Sequence, residues 1–209
     1  MHPVIFAAFN AICLDKIAPG ARVLEIGAMP TQDTLLRLPA LPEASLRVGT
    51  NREAMSPADG VNLVQVGDAS LACFADASFD AVLCNSALEH DPAFWRTLTE
   101  IDRVARPGAL IVIGVPGYTD MPPPRLLRWT RWAPIARWLD RIEPSWLATT
   151  PTLVMHNYPG DYYRFSPQAM REVLMAGCTD IHVDTVLRPP RIIGSGRRRA
   201  APSASRGDG

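Results

Sequence analysis

The stretch that decides the fold is FDAVLCNSALEH, at residues 79–90. Its first six residues are mostly apolar, as in a strand that is covered on both faces of a sheet. Pro92 can then begin a helix. The apolar residues on one face of this helix are Phe94, Leu98, Ile101, Val104 and Ala105. A turn at Pro107-Gly108 and a second apolar strand over 110–115 follow, so the succession predicts an α/β fold with a mostly parallel sheet.

The same alternation extends in both directions along the chain. Further predicted helices span 3–16, 31–38 and 167–176, and further predicted strands span 22–27, 46–50, 61–66, 181–186 and 191–194. Thr31 and Ser166 are the predicted N-caps of the second and third of these helices. We therefore predict one domain over 1–196. The remaining residues, 197–209, include few apolar side chains and are predicted to form a disordered tail.

Residues 116–165 interrupt the alternation with many prolines and four of the five tryptophans. We predict that they form an inserted helical cap rather than a second sheet. Within the cap, arginines and tryptophans interleave over 125–139, and Pro134 divides this stretch into two short helices. A lid whose tryptophans pack on the domain is the favoured interpretation, and a membrane-surface helix is the alternative.

Composition excludes several classes of function. Lys and Arg total 21, and Asp and Glu also total 21, so the chain has no net charge and lacks the positive field of a nucleic-acid-binding protein. The four cysteines form no CxxC pair, which favours reduced thiols and a cytoplasmic location. The apolar stretch over 4–14 is too short to cross a bilayer. No set of metal ligands has suitable spacing, so no metal is predicted.

Polar residues follow two of the predicted strands. Glu25 and Gly27 end the first strand, where ligands bind in open α/β sheets and where glycine lets the backbone approach a ligand closely. Asp68 follows the third strand and can accept a hydrogen bond from an adenine amino group. Alternatively, Asp68 is the N-cap of a short helix.

The order of three motifs resembles the class I S-adenosylmethionine-dependent methyltransferases. The chain has F-D-A-V at 79–82, L-E-H at 88–90 and R-V-A-R-P-G-A at 103–109, in the order and at the spacing typical of that family. The resemblance implies a Rossmann-like sheet and S-adenosylmethionine (SAM) as the cofactor. The activity implied is methyl transfer to an oxygen or nitrogen of a small molecule, with glycan and secondary-metabolite intermediates as candidate acceptors.

The resemblance also implies cofactor-binding roles for residues at four strand ends. These residues are Glu25 and Gly27 for the methionine part, Asn51 for the ribose hydroxyls, Asp68 and Ala69 for the adenine, and Asn85 and Ser86 for the sulfonium and the substrate. Asp80 is interpreted as support for the fold.

The chain departs from the family pattern in its first loop. Met29 and Thr31 stand where the family usually has glycines, and Asn51 stands where it usually has an acid. These departures leave a cofactor-binding homologue without activity as an alternative. A nicotinamide-dependent oxidoreductase is disfavoured, because its G-x-G-x-x-G motif is absent after the first strand.

A second segment, HNYPGDYYRFS at 156–166, looks like a signature of some methyltransferases of this branch. His156, and equally His90, can act as a general base near neutral pH. Asp161, Tyr162 and Arg164 are predicted to bind the substrate. Arg164 can either hold an anionic group or pair with Asp161. The alternative is a hydrogen-bonded clamp that holds the cap on the sheet.

Overall fold

The computed structural model describes residues 1–29, 34–52, 62–65, 71–118, 160–187 and 190–200. The chain divides into two units, one of Met1–Tyr118 with Tyr158–Gly209 and the other of Thr119–Asn157. The second unit lies outside the described residues. Most of the predicted cap and the whole Arg–Trp stretch at 125–139 therefore lie outside them as well.

The first unit is built on a seven-stranded sheet with the order β3-β2-β1-β4-β5-β7-β6. The strands are β1 (Arg22–Ile26), β2 (Leu46–Asn51), β3 (Asn62–Gln65), β4 (Phe79–Asn85), β5 (Ala105–Pro116), β6 (Cys178–Val186) and β7 (Arg191–Arg198). Strands β1 to β5 pair in parallel, and β7 runs antiparallel between β5 and β6. The predicted Rossmann-like, mostly parallel α/β sheet is therefore confirmed.

The first and third helices begin where the sequence predicts and end earlier, and the second begins two residues after the predicted Pro92. Helix α1 spans Pro3–Cys13, and α2 spans Phe94–Val104. Helix α3 begins at Pro167–Ala169, with the Ser166 hydroxyl accepting from the Ala169 N–H as predicted, and continues as a π-helical turn over Met170–Leu174. Ala105, placed on α2 by its apolar side chain, instead begins β5.

Between β1 and β2 the described chain has only a 3-10 turn over Leu35–Arg37. The Thr34 hydroxyl accepts a hydrogen bond from the Leu36 N–H and caps this turn. The predicted cap Thr31 lies outside the described residues. Asp80 has the predicted structural role, because its carboxylate accepts the Arg22 N–H at 2.8 Å and pairs with Arg106.

The last strand, β7, is longer than predicted and reaches Arg198. The predicted start of the disordered tail, at residue 197, is therefore too early in the chain. The apolar pattern does not predict the full length of β7, because glycines occupy positions 194 and 196, where an apolar side chain would indicate a strand. A Cβ at Gly194 would overlap Met170 of α3, and one at Gly196 would lie 3.0 Å from the Cys178 Cβ. Close packing therefore requires the small residues that obscure the pattern.

Two hydrophobic layers cover the two faces of the sheet. Residues from α2 and α3 pack on one face, and residues from α1 and the Leu35–Arg37 turn pack on the other. Phe9 of α1 is fully buried, and its ring lies within about 3 Å of where a Cβ of Gly114 would be. Burying one such aromatic side chain contributes roughly 1.5–3 kcal/mol, so α1 is held firmly against β5.

The strand order places the topological switch point between β1 and β4. The chain leaves β1 toward β2 on one side and returns to β4 on the other, so the loops after β1 and β4 border a crevice at the carboxyl edge of the sheet. Open α/β sheets bind ligands in this crevice.

Candidate active site

Gly27 brings the loops after β1 and β4 together. Its φ of +77° is a left-handed conformation that favours glycine, and a Cβ at this position would lie 2.9 Å from the Cβ of Ala87. The N–H groups of Gly27 and Ala28 both donate to the Thr50 carbonyl, at 2.9 Å each. The predicted glycine position is thus a true close approach of two backbone segments at the switch point.

Glu25, on β1, is buried and bonded within the chain. One carboxylate oxygen accepts from the Thr34 hydroxyl and, at 3.3 Å, from the Leu36 N–H. Burial raises the pKa of Glu25 to about 7, and the hydrogen bonds from Thr34, Leu35 and Leu36 oppose this increase. The carboxylate therefore holds the segment 34–36 against β1, and its predicted contact with the cofactor stays a prediction.

Asn51, the last residue of β2, also bonds to the first loop. Its side-chain N–H donates to the Ala28 carbonyl at 2.8 Å. Met29, which replaces a family glycine, has 49% of its surface exposed. The Met29 side chain is therefore not buried in the crevice.

Asn85 and Ser86 end β4 in an unusual way. The side-chain oxygen of Asn85 is buried without a hydrogen-bond partner among the described residues, and it lies 2.5 Å from where a Cβ of Gly114 would be. Ser86 adopts a left-handed conformation with φ of +56°, and its N–H donates to the Gly114 carbonyl at 2.9 Å. An unsatisfied buried acceptor next to a strained turn is typical of a functional site.

The 3-10 turn Leu88–His90 carries a buried acid that we did not assign from the sequence. Glu89 is fully buried, and within the described part of the chain neither of its carboxylate oxygens has a hydrogen-bond partner. The nearest cation is Arg191 on β7, with 3.8 Å between its Nη2 and Oε1 of Glu89. Burial raises the pKa of Glu89 to about 7, although Arg191 and Arg164 lower it.

Arg191 links three elements at the carboxyl edge. It begins β7 opposite Pro116, the last residue of β5, and its Nη2 donates to the Ser86 hydroxyl after β4. Its Nε is buried and has no partner in the ranges that the structure describes. The sequence offered no signal for this arginine, since its partners lie about a hundred residues earlier in the chain.

His90 is half-buried, and its backbone carbonyl accepts from the Arg52 guanidinium at 3.2 Å. Arg52 also pairs with Asp91 at 3.4 Å, which ties the end of β2 to the turn after β4. Asp91 in turn accepts from the Thr97 hydroxyl at 2.6 Å and from the Ala93 N–H at 2.9 Å. Contacts with the end of β2 and with the start of α2 therefore hold this turn in place.

The described part of the second motif is tied to the same turn. Asp161 and Arg164 form the two-bond pair that the sequence suggested, and these bonds raise the pKa of Arg164. The Tyr162 N–H donates to the Glu89 carbonyl at 2.8 Å, and the Tyr163 hydroxyl donates to the Pro92 carbonyl at 3.0 Å. Phe165 lies in the core. Residues 160–165 therefore belong to the sheet unit and not to the predicted cap.

Three predicted site residues, Asp68, Ala69 and His156, lie outside the described residues. The described ones fit an adenosyl cofactor in two respects. Gly27 lets the loop after β1 approach the loop after β4 closely, and the buried oxygen of Asn85 has no donor among the described residues. Both features occur beside the switch point, where the fold directs a nucleotide-like ligand.

Comparisons with known proteins agree with this geometry. Residues 41–113 match the model of the methyltransferase domain family. No curated protein sequence matches the chain. None of the described helices is long and apolar enough to cross a membrane.

Solved structures with the same fold include a 1,6-didemethyltoxoflavin-N1-methyltransferase from Burkholderia thailandensis. It is 19% identical, has a TM-score of 0.63, and its alignment covers 93% of this chain and 78% of that one. A SAM-dependent methyltransferase from Methanosarcina mazei is 15% identical, with a TM-score of 0.54 and coverage of 96% and 99%. Residues 41–113 thus resemble a methyltransferase domain, and the sheet unit has the fold of these SAM-dependent methyltransferases.

Proposed function

We propose that the protein is a class I SAM-dependent methyltransferase that moves the methyl group of SAM to an oxygen or a nitrogen of a small molecule. The observation that carries the proposal is the crevice at the switch point, where Gly27 lies against Ala87. The Burkholderia neighbour was solved with the small molecule 1,6-didemethyltoxoflavin and S-adenosylhomocysteine (SAH), which supports a small acceptor on this fold.

The cofactor site draws on the strand ends. The backbone of the loop after β1 approaches the ligand at Gly27, and Asn51 holds that loop through its bond to Ala28. Asn85 and Ser86 lie at the end of β4, toward the sulfonium and the acceptor. Asp68 and Ala69 are proposed for the adenine, and Glu25 supports the methionine part by holding the segment 34–36.

SAM, when bound, supplies a methyl group on a positively charged sulfur. The task of the chain is to hold the acceptor in line with that methyl group and to exclude water. An oxygen or nitrogen acceptor also gives up a proton, and His90 and His156 are the bases proposed from the sequence. Asp161, Tyr162 and Arg164 are proposed to contact the acceptor, with the half-exposed ring of Tyr162 as an aromatic surface for it.

Two glycines provide a matched test of the cofactor site. Gly27 and Gly20 have nearly the same φ, +77° and +78°, but a Cβ at Gly20 has nothing within 4 Å. Each change to alanine costs roughly 1–2 kcal/mol of backbone strain. Calorimetry is expected to show at least tenfold weaker SAH binding for Gly27→Ala and unchanged binding for Gly20→Ala. Equal SAH affinity in both variants would contradict the site.

The acceptor is tested by incubating the protein with SAM carrying a radiolabelled methyl group and the small-molecule fraction of a cell extract. We expect label in a product that releases it only under conditions that cleave an O-methyl or N-methyl bond. Binding of SAM without transfer in any extract would favour the cofactor-binding homologue without activity.

A further inference from the structure

Glu89 and Arg191 form a pair in which part of the hydrogen-bonding capacity is unused. Both carboxylate oxygens of Glu89 and the Nε of Arg191 are buried, and the described residues offer them no hydrogen-bond partner. The 3.8 Å between Arg191 Nη2 and Glu89 Oε1 is too long for a hydrogen bond. Buried polar groups are almost always satisfied, and one that is not calls for an explanation such as an absent ligand.

The surroundings of the pair do not supply that explanation. Arg191 uses Nη2 on the Ser86 hydroxyl, and Arg164 is bonded to Asp161. Among the described residues the Cys84 thiol also lies near Glu89, and burial and nearby carboxylates raise the pKa of this thiol, so it stays neutral. Two cations and two carboxylates thus balance, and the free acceptors of Glu89 remain beside the free donor of Arg191.

The pair lies where an acceptor must be held. Glu89 follows β4 and Arg191 begins β7 opposite the end of β5, so both are at the carboxyl edge next to the switch point. The Glu89 side chain is fully buried, whereas 17% of the Arg191 side chain is exposed. A ligand therefore reaches the pair from the Arg191 side.

We propose that Glu89 and Arg191 bind the methyl acceptor through an edge that presents an O–H or N–H donor beside a carbonyl or ring-nitrogen acceptor, as in a lactam or an enol. This inference rests on the proposed function. The donor faces the Glu89 carboxylate, and the neighbouring acceptor atom faces the Arg191 guanidinium. In the transfer, the carbon–sulfur bond of SAM breaks and its electron pair stays on sulfur. The acceptor oxygen or nitrogen bonds to the methyl carbon, and its proton moves to a carboxylate oxygen of Glu89, which replaces His90 and His156 as the base.

The test uses a minimal lactam on the full chain saturated with SAH. 2-Pyridone carries an N–H beside its carbonyl, and N-methyl-2-pyridone lacks only that donor. Ligand-detected NMR is expected to show at least tenfold tighter binding of 2-pyridone. Because the pKa of Glu89 is raised to about 7, its ionised form grows between pH 6 and 8, and 2-pyridone binding is expected to strengthen several-fold over that range.

The variants separate Glu89 from other groups. Glu89→Gln is expected to abolish the pH dependence, whereas His90→Gln and the exposed Glu172→Gln keep it. Arg191→Gln is expected to weaken 2-pyridone at least tenfold while SAH still binds. Equal affinity for the two pyridones in the unmodified protein, or a pH dependence that survives Glu89→Gln, would overturn the inference. Failure of SAH itself to bind would instead overturn the proposed function.

Discussion

Two buried glutamates, at the ends of neighbouring strands, differ in what surrounds them. Glu25 on β1 is 3% exposed and Glu89 after β4 is 0% exposed, and burial raises the pKa of each to about 7. Glu25 accepts hydrogen bonds from Thr34 and Leu36, while among the described residues the nearest cation to the Glu89 carboxylate is the Arg191 guanidinium, at 3.8 Å. Two similarly buried carboxylates thus differ in their hydrogen bonds. The Glu25 carboxylate stabilises the fold, whereas the Glu89 carboxylate can still accept hydrogen bonds.

The largest expected effect is the cost of ionising the two glutamates. For each, the folded pKa of about 7 lies above the ordinary value of 4.5, so the folded state binds more protons between these pH values. The free energy of unfolding therefore falls as pH rises from 4.5 to 7, by about 3 kcal/mol for each group. Urea unfolding of Glu25→Gln and Glu89→Gln across this range is expected to show a shallower fall in each variant. A slope identical to that of the unmodified protein would contradict the assignment.

A smaller effect on stability is expected from Arg191, the cation that lies near Glu89 and distinguishes it from Glu25. Arg191→Met leaves the Glu89 charge unpaired at pH 8, but at pH 5 the carboxyl is protonated and little is lost. We expect the variant to be destabilised by about 2 kcal/mol more at pH 8 than at pH 5. This is below the usual cost of breaking a buried pair, because protonation of Glu89 limits it. Arg171→Met, at an exposed arginine, is the control, and an equal loss at both pH values would argue against the pairing.

The smallest expected effect concerns the hydrogen bonds of Glu25. Thr34→Val removes one bond to the carboxylate and the cap of the Leu35–Arg37 turn, at a cost of about 1 kcal/mol. The pKa of Glu25 should rise further and that of Glu89 should not change, as followed by carbon-13 shifts of the two carboxyl groups. Thr99→Val, whose hydroxyl bonds only to its own helix, should leave both unchanged.

The sheet could be predicted from the sequence because its central strands are short apolar runs, which can be recognised without knowing the neighbouring strands. The motifs after β1 and β4 likewise predict a site at the carboxyl edge of the sheet. Asp161 and Arg164 were predictable as a pair, since they are three positions apart. The length of β7 was not predicted, because its glycines interrupt the apolar pattern of a strand.

The contacts that distinguish the site were not predictable. The Ser86–Arg191 bond joins residues 105 positions apart, and no periodicity or motif records such a contact. Glu89 is visible within L-E-H, but whether its carboxylate finds a hydrogen-bond partner among the described residues depends on how the chain folds around it. Local patterns therefore locate the edge of the sheet, and only the folded chain shows which side chains are left to act there.

The place of β7 in the sheet also bears on how the protein matures during translation. Thr34 leaves the ribosome nine residues after Glu25, so the scaffold carboxylate meets its partner early. Strand β6 is synthesised before β7 yet touches the sheet only through it. A nascent chain that has not yet reached residue 191 therefore carries β6 without a partner strand and Glu89 without Arg191. The Glu89–Arg191 pair is completed last, when β7 pairs with β5 and β6, so the proposed acceptor site forms only once the seven-stranded sheet is complete.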